Sequence, residues 1–162
     1  MKLIKIGKIV NTHGIKGELR LLSKFPYKDK VFIKDMNIYI NKDVKETINT
    51  YRKHKNFDMI TLKGYTNINE VLEYKGKSVY VNAEDIKLGD NNYLDEEIIG
   101  LEVIYKNNIK GNVKDIERYD KTVLLVVKKD KEEYLIPYNY NIIESIDITK
   151  KKIIIKDIDG LF

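Results

Sequence analysis

The apolar residues of this chain fall into short runs that mostly alternate with polar ones, a period-two pattern with little helical character. Leu3 to Val10 is rich in Ile and Val and predicts a strand, although Lys8 stands where an inward residue belongs. Glu18-Leu19-Arg20-Leu21 alternates cleanly. With Leu19 and Leu21 turned to a core, Glu18 and Arg20 face outward, where a partner can reach Arg20. Pro26 ends that strand. Asn37 to Ile40, Glu46 to Lys53 and Met59 to Lys63 follow as strands between short polar loops, the pattern of a small antiparallel barrel. Asn67-Ile68-Asn69-Glu70 puts an Asn cap three residues before a Glu, and Val71, Leu72 and Tyr74 ahead of Gly76 predict one short helix. Lys77 to Val81 returns as a strand.

The polar run from Asn82 to Asn92 interrupts the pattern and predicts a first domain over 1–82, a linker over 83–93 and a second domain over 94–162. In the second, Ile98 to Tyr105, Ile109 to Ile116, Thr122 to Lys128 and Glu133 to Pro137 predict strands. Their turns are Asn107-Asn108, Tyr119-Asp120-Lys121 and Lys129-Asp130-Lys131, again a meander or barrel. Thr122 to Val127 is apolar on both faces, and Ile153 to Ile155 is similar, so both should be covered on two sides. Domains this small bury only roughly 60% of their surface, which makes a contact between them expected. The fold class is all-β, as two small β-barrel domains.

Charge sharpens this division. Residues 1–84 carry 17 Lys+Arg against 9 Asp+Glu, net +8, while residues 85–162 carry 13 against 16, net −3. A basic half suits a polyanion and an acidic half suits a basic protein. The absence of cysteine removes disulfides, thiolate nucleophiles and cysteine-based zinc sites. Lys2, Lys5 and Lys8 break up any export-signal core, and no apolar run approaches the roughly 20 residues that span a bilayer. The expectation is a cytoplasmic protein that does not engage membranes.

Candidate chemistry is concentrated in Gly7 to Arg20, which joins two strands through a cationic loop punctuated by glycine. Asn11, Gly14 and Gly17 can adopt positive φ, and His13, Lys16 and Arg20 supply donors of the kind that meet phosphate. A hairpin whose glycines serve geometry alone is the competing reading. Gly14-Ile15-Lys16-Gly17 matches the G-x-x-G clamp of KH domains, but that clamp joins helices and this one joins strands. The loop lacks the Gly-Lys-Ser/Thr ending of a P-loop. His13 has no Ser or Asp at triad spacing, and His54 lies too far along the chain for a helical zinc pair, although folding could still unite the two. Asp90 to Asn92 opens like a calcium loop, but Asp95 occupies the position that requires Gly, and Asp157 to Gly160 has no downstream Glu. No catalytic residue, metal or cofactor is expected. An RNA-modifying or RNA-cleaving enzyme using His13 and a general RNA-binding module are the alternative readings of this loop.

The stretch from Gly7 to Arg20 closely resembles the opening motif of the RimM family of ribosome maturation factors. Gly64 to Val81, Tyr93 to Leu101, Leu135-Ile136-Pro137-Tyr138 and Asp157 to Leu161 resemble that family's later landmarks in the same order. The resemblance implies an N-terminal six-stranded barrel like a translation-factor domain, followed by a PRC-barrel. It also implies a non-enzymatic assembly factor; a monomer is expected. Such a factor binds the immature small ribosomal subunit near its head, touches small-subunit ribosomal protein nineteen and supports 16S rRNA processing. The loop residues His13, Gly14, Lys16, Gly17 and Arg20 are then expected to contact the ribosome, and Tyr93 and Leu94 the ribosomal protein. Where the family often has paired tyrosines, this chain has Tyr93-Leu94.

Overall fold

The computed structural model describes residues 1–162. The chain divides into two compact units, Met1–Leu88 and Gly89–Phe162. No helix is long and apolar enough to cross a membrane.

In the first unit, β1 (Leu3–His13), β2 (Glu18–Leu22), β3 (Asn37–Ile40), β4 (Val44–His54), β5 (Phe57–Leu62) and β6 (Ser78–Asn82) form a closed barrel in the order β1-β2-β5-β4-β3-β6. All its pairings are antiparallel. The alternation puts Ile4, Ile6, Ile9, Leu19, Leu21, Ile38, Ile40, Ile48, Ile60, Leu62, Val79 and Val81 inside, none more than 5% exposed. β1 runs three residues past the predicted end at Val10, because a register shift between Ile9 and Asn11 lets it stay paired with β2. Asn11 keeps negative φ, contrary to expectation: it lies within the ladder opposite Arg20, and its Oδ1 accepts the Thr12 N–H at 2.9 Å.

The predicted helix at Asn67 is two successive 3-10 turns, Ile68–Glu70 and Leu72–Tyr74. The cap forms as expected, with Asn67 Oδ1 accepting from Asn69 N and Glu70 Oε1 accepting from Asn67 N. Val71, at φ −119° and ψ 1°, leaves helical geometry and splits the segment. A four-residue helix the alternation did not predict, α1 (Lys28–Val31), is tied to the barrel through Asp58. That carboxylate is fully buried and accepts from Lys28 Nζ at 2.8 Å and from Tyr51 O–H at 2.6 Å. Tyr51 stacks on Phe32, with centroids 5.6 Å apart, and burial together with Asp58 pushes its phenol up to about 12.

The second unit begins with α2 (Asp95–Ile98), followed by β7 (Glu102–Tyr105), β8 (Asn108–Arg118), β9 (Val123–Lys129), β10 (Glu132–Pro137), β11 (Ile143–Asp147) and β12 (Lys152–Ile155). Ile98 to Leu101, predicted as the start of a strand, instead ends α2 and turns at Gly100 with φ +98°. The acidic triplet Asp95-Glu96-Glu97 favours this helix start, and Glu97 accepts the Leu94 N–H at 2.9 Å. The sheet order is β10-β9-β8-β7-β12-β11. β12 lies parallel to β7, a crossover that a plain meander lacks. The core gathers Ile98, Leu101, Val103, Tyr105, Val113, Leu125, Val127, Ile136, Ile153 and Ile155. Leu125, Val126 and Val127 are consecutively buried, as their two-sided apolar character requires.

Candidate nucleic-acid interface

The β1–β2 loop is held from beneath. Ile15 O accepts the Ile68 N–H at 2.9 Å, so the first 3-10 turn supports the loop. Gly17 is buried at φ +90°, and a Cβ there would lie 3.1 Å from Asn67 O and 3.4 Å from Val71 Cγ2. Gly14, at φ +76°, faces open space. The two glycines therefore do different work: Gly14 turns the chain, while Gly17 also lets it touch the supporting turn. The loop's outer residues, Gly14, Ile15 and Lys16, are exposed, and Lys16 makes no ion pair.

Strand register places the remaining predicted residues on one outward face. His13 lies opposite Glu18 and Asn11 opposite Arg20 across β1 and β2. Arg20 then lies opposite Met59 on β5, and Met59 opposite Arg52 on β4. Residues directly opposite one another share a face, so His54 and Phe57, paired at the tip of β4–β5, join the same surface. Arg20 Nη2 donates to His13 Nδ1 at 3.0 Å. Because guanidinium only donates, that nitrogen is the acceptor, and a neutral His13 carries its proton on Nε2. The Arg20 guanidinium also sits 5.0 Å above the Phe57 ring, and the His13 and His54 rings are 5.9 Å apart.

Glu18 is the carboxylate on this face, and Arg52 occupies it through two bonds, Nε at 2.9 Å and Nη2 at 2.7 Å. Those bonds hold the Glu18 carboxyl below the usual range against the opposing effect of burial. His54 is pushed below the ordinary histidine value, first by burial and then by the positive charges of Arg52, Lys55, His13 and Arg20. Arg20 has no carboxylate partner, and its buried Nε has no hydrogen bond. The face is a cationic surface rich in N–H donors, suited to phosphate. Sequence reasoning missed Arg52, His54 and Phe57. The signal for the first two was the basic run Arg52-Lys53-His54-Lys55, which closes β4 and enters the turn to β5.

The second predicted site divides. Leu94 is 8% exposed and belongs to the interior. Tyr93 is half-buried against the second core, leaving part of its ring outside. Beside it, Glu96 and Glu97 are exposed, while Asp95 accepts from Arg118 Nη2 at 2.8 Å.

Comparison with known proteins covers both units. The family model described as the RimM N-terminal domain matches residues 4–86, and that described as the RimM PRC barrel domain matches residues 95–161. A protein of Ligilactobacillus salivarius named ribosome maturation factor RimM is 40% identical over 167 residues, covering 99% of this chain and 99% of its own length. A protein of the same name from Exiguobacterium sp. (strain ATCC BAA-1283 / AT1b) is 35% identical over 167 residues, covering 99% and 97%. A crystal structure of a RimM-type 16S ribosomal RNA processing protein from Pseudomonas aeruginosa is 24% identical, with a TM-score of 0.47, and covers 99% of this chain and 100% of that one. With its closed barrel followed by a PRC barrel domain, this chain belongs to the RimM family of ribosome maturation factors.

Proposed function

We propose that this protein is a non-enzymatic assembly factor that binds the immature small ribosomal subunit near its head and supports processing of 16S rRNA. The observation that carries this reading is the braced β1–β2 loop, whose turn at Gly14 and close seat at Gly17 present the cationic side chains of Lys16 and Arg20 beside His13, a group suited to rRNA phosphates. Family membership supports it, since the relatives are named ribosome maturation factors. The seat of His13 favours binding over turnover: its Nδ1 already accepts from the Arg20 guanidinium.

Small-subunit ribosomal protein nineteen is the proposed protein partner, met by the acidic second domain at Tyr93. The exposed Glu96 and Glu97 beside that ring favour a basic surface, and Leu94 serves by fixing Tyr93 from the interior. The protein acts as a monomer in this reading.

Replacing Lys16 and Arg20 together with Ala is expected to weaken binding to immature small subunits and to flatten its salt dependence. Each lost phosphate contact changes the log–log slope by about 0.7–0.9. An unchanged slope in a salt titration would remove phosphate from the interface. Tyr93→Ala in the full chain is expected to cost at least about 1 kcal/mol of affinity for ribosomal protein nineteen, measured by calorimetric titration. A variant that melts early yet binds normally would assign the ring to packing.

A further inference from the structure

The two hairpin tips of the barrel end on the same outward face, although only the first carries the family's opening motif. We propose that the β4–β5 tip, through His54 and Lys55, joins His13, Lys16 and Arg20 in one continuous surface for the backbone of single-stranded RNA. This rests on the reading that the first loop meets rRNA and extends that site to a hairpin distant in sequence.

The first support is an unbalanced charge. Arg20 is half-buried, yet its only side-chain acceptor is the His13 Nδ1 at 3.0 Å. Glu18 shares the face but is taken up by the two bonds from Arg52. Lys16 and Lys55 are exposed and make no ion pair. A desolvated cation without a counter-ion is costly, and a bound phosphate would offset that cost. The second support is the join itself. The Glu18–Arg52 bridge, the contact of the His13 and His54 rings and the seat of Arg20 over Phe57 fasten the two tips together. A strand of RNA would therefore meet one prearranged surface. Exposed N–H donors beside imidazole and phenyl rings suit unpaired nucleotides, whose phosphates and bases are both accessible.

The groups facing His54 are Arg52 on its own strand, Lys55 at the tip, His13 from β1, and Arg20 and Glu18 from β2. In the free protein burial and the cations among these keep it low. A phosphate beside it favours the protonated ring, so binding takes up a proton and tightens as pH falls through the histidine range.

Binding of the full-length protein to a labelled single-stranded RNA oligonucleotide tests this. Lys55→Gln is expected to lower the salt slope by about 0.7, as one lost contact to a single strand would. Acidification from about pH 8 to about pH 6 is expected to tighten wild-type binding, and His54→Gln to reduce that gain. If Lys55→Gln keeps the wild-type slope while Lys16→Ala lowers it, the second hairpin lies outside the interface and the reading of the first loop stands. If both keep it, phosphate contact fails for the loop as well. A His54→Gln protein with the wild-type pH response overturns the role of His54. Capture of a poly-glutamate peptide as tightly as RNA at equal salt would reassign the face to acidic protein.

Discussion

Gly17→Val is expected to lower barrel stability by about 3–5 kcal/mol, whereas Gly14→Val costs only about 1–2 kcal/mol. Both positions require positive φ, which β-branched residues tolerate worst. Only at Gly17 does backbone strain combine with collision, because the new Cβ would meet the Asn67 carbonyl at 3.1 Å and the Val71 methyl at 3.4 Å. Relief would require the loop or its supporting turn to shift by a few tenths of an ångström, where the Ile68–Ile15 bond holds them together. Domains of this size have about 5–15 kcal/mol of stability, so the Gly17 variant loses a large part of it. Urea unfolding of the two variants measures the difference. Equal losses would mean that the turn at Asn67 yields freely and that the loop is not braced.

Gly111→Ala is the corresponding change in the second unit, with an expected loss of about 3 kcal/mol or more. Gly111 has φ +139° and lies where the β7–β8 ladder slips register between Val103 and Ile104. An added Cβ would fall 2.5 Å from Lys128 O and 2.7 Å from Lys128 C, both backbone atoms of the paired strand β9. No side-chain rotation can relieve a clash with backbone, so β8 and β9 must separate locally. Differential scanning calorimetry should show a lowered melting temperature. A variant that melts with the wild type would show that this ladder opens at little cost.

β2, β3 and β6 are legible in the sequence because each buries one face, and alternation records that directly. What escaped was set by other forces. The acidic triplet at Asp95 starts a helix within a stretch whose apolar residues suit a strand equally well. α1, at four residues, is too short for periodicity and is tied down by the ion pair of Lys28 with the buried Asp58, residues far apart in sequence. The parallel partner of β7 is likewise a distant segment, and β11 was not predicted at all. At the candidate interface, His13, Lys16, Arg20 and the glycines stand together in one motif and could be read as a group. His54 could not, because its place beside His13 follows from β2 pairing with β5 and not from any local pattern. The reading of Asn11 as a positive-φ residue erred because strand pairing outweighed its turn preference.

The way each sheet is completed has a consequence for synthesis. In the barrel Leu3 pairs with Asn82, and in the second unit Glu102 pairs with Lys152, so the earliest strand of each awaits nearly its latest. Such distant pairings are slow to form and leave strand edges open meanwhile. The nascent chain can assemble the first unit while the second is still being translated. The second gains its parallel neighbour only after β12 has left the exit tunnel. The basic half of this factor can thus acquire its shape before the acidic half exists as a folded body.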